Sequence, residues 1–190
     1  MEEQTLGKKA FSFFTDTLQT FLMALAVFLV IYFVFARPFQ VSGDSMFPTY
    51  KDREYIFTNI IGMKLGQLNR GDVVVFKAPT DNTKDFIKRV IAMPGDTVEL
   101  KEGFVYLNGE KLSEQTYLSS DVRTYGGSFL DENEAKIVPD GHVFVMGDNR
   151  PYSSDSREWG LLRKDAIIGK AFFVYWPVSS AHAIRNPYQK

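Results

Sequence analysis

From Thr17 to Ala36 the chain reads TLQTFLMALAVFLVIYFVFA, with no charge and Gln19 as its one strongly polar residue. As a helix, such a stretch rises about 30 Å, the thickness of a hydrocarbon core. A buried core helix usually shows a polar stripe, and none is visible here. Val34 and Ala36 would suit the small positions before a leader's cut, but the stretch exceeds a leader's apolar core of roughly 7–15 residues. The pattern therefore predicts a retained transmembrane helix over 17–36. Lys8 and Lys9 precede it and Arg37 follows. The positive-inside rule then puts 1–16 in the cytoplasm and everything after Ala36 outside it.

Beyond Ala36 the pattern changes to short runs of β type: Glu54–Thr58, Asp72–Lys77, Phe86–Met93, Thr97–Lys101, Phe104–Leu107, His142–Met146 and Ala171–Trp176. Turn signals separate them, such as Arg70-Gly71-Asp72, Pro94-Gly95-Asp96 and Pro139-Asp140-Gly141. Asn108-Gly109 between two such runs predicts a tight hairpin, because both residues tolerate positive φ. The expectation is a mainly β fold, an antiparallel catalytic core over 37–97 and 141–190. A small second region over 98–140 holds the hairpin and a polar excursion.

Composition narrows the chemistry. The chain has 190 residues, 22 Lys plus Arg, 23 Asp plus Glu and a net charge of −1, which argues against a nucleic-acid partner. With no Cys and two His, His142 and His182, thiol catalysis is excluded and a zinc site has little raw material.

Three segments carry candidate chemistry. In SGDSMFPT (42–49), Ser45 follows a Gly-containing turn. It lies nine residues past Ala36, within about 30 Å of the membrane surface even when fully extended. In DFIKRVIAM (85–93), strand alternation puts Phe86, Lys88, Val90 and Ala92 on one face and Ile87, Arg89, Ile91 and Met93 on the other. Lys88 then has apolar neighbours. It is either an edge lysine whose stem covers apolar groups or a desolvated base. In GDNRPYSSDSR (147–157), the charges of Asp148, Arg150, Asp155 and Arg157 are expected to pair internally into a rigid scaffold, and the serines offer a hydroxyl to orient an amine. Ser–His and Ser–Lys pairs are both open on spacing alone.

The ordered set SGDSMFPT, RGDVVVF, FIKRVIAMPGD and GHVFVMGDNRPYSSDSREWG, behind an N-terminal anchor, resembles type I signal peptidase. The resemblance runs from the anchor to about Trp176 and implies a membrane-bound serine endopeptidase of the bacterial cytoplasmic membrane, single-pass and with its catalytic domain outside. The implied reaction removes signal peptides from exported preproteins with small residues at −1 and −3, and needs no cofactor or metal. By the same resemblance Ser45 is the nucleophile and Lys88 the general base. The Ser45 N–H is an oxyanion donor, and Ser153 hydrogen-bonds the lysine. Some relatives carry a serine two positions before the nucleophile as a second oxyanion donor, where this chain has Gly43. Met46, Phe86 and Ile87 match substrate-pocket positions, and Arg89, Asp148, Asp155 and Arg157 match a structural charge network. Phe47 and Trp159 are expected at the membrane interface. Two rival readings are a Ser–Lys autoprotease of the SOS-repressor type, which would carry a DNA-binding domain instead of the span, and a catalytically silent anchored β domain.

Overall fold

The computed structural model describes residues 2–35, 37–64 and 68–189. Ala36, the expected end of the apolar span, lies outside them, as do residues 1, 65–67 and 190 of the expected segments. Helix α1 (Glu2–Phe35) begins well before the span, since helix formation needs no apolarity. The hydroxyls of Thr15, Thr17 and Thr20 are absorbed by carbonyls one turn back, those of Ser12, Phe13 and Asp16. Within α1, Phe11–Val30 has a mean hydropathy of 1.7 and none of its residues is buried.

Among the described residues twelve strands form two sheets, almost wholly antiparallel as expected. The larger sheet runs in the order β1 (Arg37–Gln40), β2 (Tyr55–Asn59), β11 (Ile167–Trp176), β3 (Val73–Ala78), β4 (Asp81–Ala92), β9 (His142–Met146) and β10 (Leu162–Arg163). Strand β12 (His182–Ala183) pairs with β11. The smaller sheet is ordered β7 (Glu110–Lys111), β6 (Phe104–Leu107), β5 (Thr97–Lys101) and β8 (Ala135–Ile137). Two short helices are α2 (Ile60–Lys64) and α3 (Ser156–Trp159). At the β6–β7 turn Asn108 has φ +54 and Gly109 φ +84, the pair of positive values a tight hairpin of this hand requires. The strand β1 gave little signal, being four residues long, at the sheet edge and containing Pro38.

Strand β4 is the spine of the site. Its residues 87–92 are buried on both faces, and all of them but Lys88 and Arg89 are apolar. Ile87 packs with Val41, Met46 and Tyr50 on one side of the core, while Val90 packs with Phe76 and Val145 on another. Ile91 and Ala92 join Val98, Leu100 and Leu130, so the smaller sheet shares a continuous apolar core with the larger one. Strand β9 pairs with β4 only from Arg89 onward, and β3 covers the opposite edge. The outer edge of Asp85–Lys88 is thus unpaired among the described residues.

Candidate active site

Ser45 sits on a turn between β1 and β2 that is pinned from several sides. Met46 and Tyr50, fully buried, anchor it in the core. The Tyr50 N–H donates to the Met46 carbonyl and the Phe47 N–H to that of Asp44. Gly43 has φ +83, where a side chain would be strained, and its N–H donates to Asp52 Oδ1 at 2.8 Å. From the opposite side Asn149 grips the same turn: its N–H donates to the Ser45 carbonyl at 3.0 Å, and its Nδ2 to the Asp44 carbonyl at 2.9 Å. The Ser45 N–H has no protein partner among the described residues.

Lys88 comes to this turn from β4. Its Nζ donates to Ser45 Oγ at 2.8 Å and to the Ile87 carbonyl at 3.0 Å. The side chain runs past the Phe86 ring, with Nζ 5.0 Å from the centroid, and the residue is only 3% exposed. Burial pulls its pKa from 10.5 down to about 8, against the opposing pull of the Asp155 and Asp148 carboxylates. A free lysine is neutral about once in 2,500 at pH 7; one at about 8 is neutral roughly once in ten. Neither histidine competes for Ser45. His142 Nδ1 lies against the Asp140 carbonyl and His182 Nδ1 against that of Ser180.

The expected hydrogen bond from Ser153 to Lys88 is not formed. Ser153 Oγ is buried and without a partner among the described residues. It lies instead against Gly147, where an added Cβ would stand 2.2 Å from Ser153 Oγ and 2.3 Å from the Ser45 carbonyl. Position 147 therefore has room for glycine alone, and the backbone of the Ser45 turn comes into contact there. Sequence reading missed this contact, because a close approach leaves no signal beyond the glycine itself.

The buried charges pair differently from the internal pairing expected of the 147–157 segment. Asp155 and Arg157 do pair within it: Arg157 Nε and Nη2 each donate to the Asp155 carboxylate at 2.8 Å. Asp155 Oδ2 also accepts the Gly147 N–H at 3.0 Å. Asp148 instead reaches across to β4 and takes a two-pronged bond from Arg89, at 2.8 and 2.7 Å. Burial disfavours the Arg89 charge, but the Asp148 carboxylate more than offsets this and raises its pKa. Arg150, completely buried, pairs with Glu114 from the polar excursion, donates to Thr124 Oγ1 at 2.7 Å and to the Gly147 carbonyl at 3.1 Å. Glu114 carried no sequence signal, since its role depends on the excursion folding back over the site.

Between β1 and the free edge of β4 runs a cleft of about 290 Å³. Its apolar walls come from Phe39, Val41, Ile56, Val75, Phe86 and Ile87, with Ser45 and Lys88 at one end. Met46, expected to line it, is instead fully buried behind it, where it packs with Val41 and Tyr50. The turn explains the correction: it presents Ser45 to the cleft and sends the next side chain into the core. Phe47 is half-exposed, but Trp159 packs on Phe76 in the core at 5.9 Å between centroids, away from its expected interfacial place.

The family model described as "Signal peptidase, peptidase S26" matches residues 14–176. Signal peptidase IB of Staphylococcus aureus strain Mu50 is 38% identical over 181 residues, covering 87% of this chain and 93% of that protein. Signal peptidase I S of Bacillus subtilis strain 168 is 40% identical over 153 residues, 78% of this chain and 81% of that protein. A crystal structure of a signal peptidase I from Enterococcus faecalis V583 is 30% identical, covers 54% of this chain and 95% of its own, and superposes with a TM-score of 0.44. With the family match spanning most of its length, this chain belongs to the signal peptidase family, peptidase S26, and is a serine peptidase.

Proposed function

We propose that this chain is a membrane-anchored endopeptidase that frees exported preproteins from their signal peptides, with Ser45 as nucleophile and neutral Lys88 as general base. The observation that carries this reading is the 2.8 Å contact between Ser45 Oγ and an amine held in dry surroundings. In the neutral state the amine lone pair accepts the Ser45 hydroxyl proton. Oγ attacks the scissile carbonyl, Lys88 passes the proton to the departing amine, and an acyl-enzyme forms on Ser45. Water, deprotonated by the same lysine, then releases the signal peptide. The unpartnered Ser45 N–H receives the oxyanion. The Gly43 N–H is already taken by Asp52, which argues against it as a second donor.

The substrate enters as an extended strand along the free edge of Asp85–Lys88, gaining main-chain hydrogen bonds. Residues −1 and −3 then point the same way, into walls built by Phe86, Ile87 and Val75 that leave room for small groups. The span in α1 holds the site at the membrane, where no more than about 30 Å of chain separates it from Ser45. Lys8 and Lys9 ahead of the span favour a cytoplasmic N-terminus and a catalytic part on the far side. The test is cleavage of a preprotein with Ala at −1 and −3 beside variants with bulky residues there. Leu or Phe at −3 is expected to slow cleavage strongly, and Phe at −1 to stop it. Efficient cleavage after bulky −1 residues would contradict the small-walled cleft.

A further inference from the structure

The segment Asn186–Tyr188 is remote from the cleft, yet it is fastened to both supports of the Lys88 strand. Asn186 Nδ2 donates to Asp72 Oδ1 at 2.7 Å and to the Arg70 carbonyl at 2.8 Å. It lies so close to Gly71 that an added Cβ there would stand 2.5 Å from Asn186 Oδ1 and 2.6 Å from the Tyr188 ring. The turn it grips is the one that holds β4. The Gly71 N–H donates to the Val90 carbonyl and the Val90 N–H to that of Asp72, both at 2.8 Å. The Gly71 carbonyl accepts from Arg89 Nη1 at 2.9 Å.

A second line runs through Tyr188. Its hydroxyl proton is shared between the Ser113 carbonyl and the Tyr117 hydroxyl oxygen, each at 3.1 Å. Tyr117 donates to Glu114, the partner of buried Arg150, and its ring lies 4.2 Å under the Arg89 guanidinium. Both lines end on Arg89, the immediate neighbour of Lys88.

We propose that Asn186 and Tyr188 are positioning residues, a clasp that fixes Arg89 and the 70–72 turn and so holds Lys88 against Ser45. This rests on the reading of Lys88 as the base. Releasing the clasp lets β4 shift by a fraction of an ångström, which loosens the Lys88–Ser45 contact and admits water to the amine. Rate therefore falls while the cleft keeps its affinity, because its β4 walls Phe86 and Ile87 lie on the far side of Lys88 from the clasp and stay paired with Phe76 and Val75 of β3.

The experiment uses the full-length chain in detergent, as wild type and as Asn186→Ala, Tyr188→Phe, Tyr117→Phe and the double variant Tyr117→Phe/Tyr188→Phe. Preprotein cleavage is followed at 25 °C, below each variant's melting temperature. The single changes are expected to lower kcat about tenfold with KM unchanged, and to move the acidic limb of the pH profile upward. The double variant should be no slower than the slower single one, because the two hydroxyls share one chain of bonds. The titration of Lys88 Nζ, followed by NMR, needs no substrate and should move up toward the ordinary lysine range in each variant. Unchanged kcat and an unchanged Lys88 titration would overturn the clasp, even if melting temperatures fell. So would a raised KM with kcat intact, or strictly additive losses in the double variant. A wild type that cleaves no preprotein would overturn the functional reading instead, and the NMR titration would still decide the clasp.

Discussion

Ser45→Ala and Lys88→Met each abolish preprotein cleavage, and the double variant is no worse than either, because nucleophile and base act as one unit. Lys88→Arg is equally inactive, since a guanidinium stays protonated at any working pH. The lysine variant carries a second expected result that separates function from folding. In the folded chain Lys88 has a pKa of about 8, against about 10.5 when it is free. Between those two values the unfolded chain holds the proton and the folded chain does not, so stability rises with pH across that window. Below pH 8 both states are charged, and the folded state bears the full cost of burying the ammonium, about 3 kcal/mol. Lys88→Met at pH 7 should therefore melt higher than wild type while being inactive, with the gain fading as pH rises toward 10.5. Thermal melts across that range check it. A Lys88→Met variant that melts lower at pH 7 would mean the amine is not held in dry surroundings.

Asp155→Ala is the second large effect, and here stability and activity fall together. Asp155 is fully buried and accepts from the Gly147 N–H, the Arg157 N–H and two guanidinium nitrogens of Arg157. Removing it strands a buried cation and two backbone N–H groups, at about 3–5 kcal/mol. For a chain of this size that lowers the melting temperature by roughly 10 °C or more. Activity falls because Gly147, which touches the Ser45 carbonyl and leads into the Asn149 grip, loses its anchor. Differential scanning calorimetry beside a cleavage assay separates the outcomes. An inactive variant with an unchanged melting temperature would assign Asp155 a direct part in the chemistry instead of a supporting one.

The strands that were plain in the sequence are those whose residues carry the cause locally. Val73–Ala78 and His142–Met146 are apolar because both sheet faces are covered, and Asn108-Gly109 announces its turn through two positive φ values. The motif segments also named Ser45 and Lys88, although spacing alone left a histidine partner open. Only the fold brings positions 45 and 88 to 2.8 Å. What was not legible depends on distant contacts. Asp148 pairs with Arg89 and not with its own segment's arginines, because β9 delivers it beside β4. Glu114 reaches Arg150 from an excursion with no periodicity of its own. Met46 was misplaced because a turn, unlike a strand, does not announce which side chain faces the core. The missing Ser153 bond has the same origin: its hydroxyl is aimed at Gly147, a matter of one rotamer and one close backbone approach.

The pH dependence of kcat/KM for a preprotein bears most directly on whether a neutral lysine is the base. Activity should rise with pH along a single limb whose midpoint lies near 8, the value at which buried Lys88 gives up its proton. The same limb should appear unchanged in His142→Ala and His182→Ala, since both imidazoles lie against distant carbonyls. A limb centred near 6.5 that vanishes in either histidine variant, or a Lys88→Met chain that still cleaves, would contradict it.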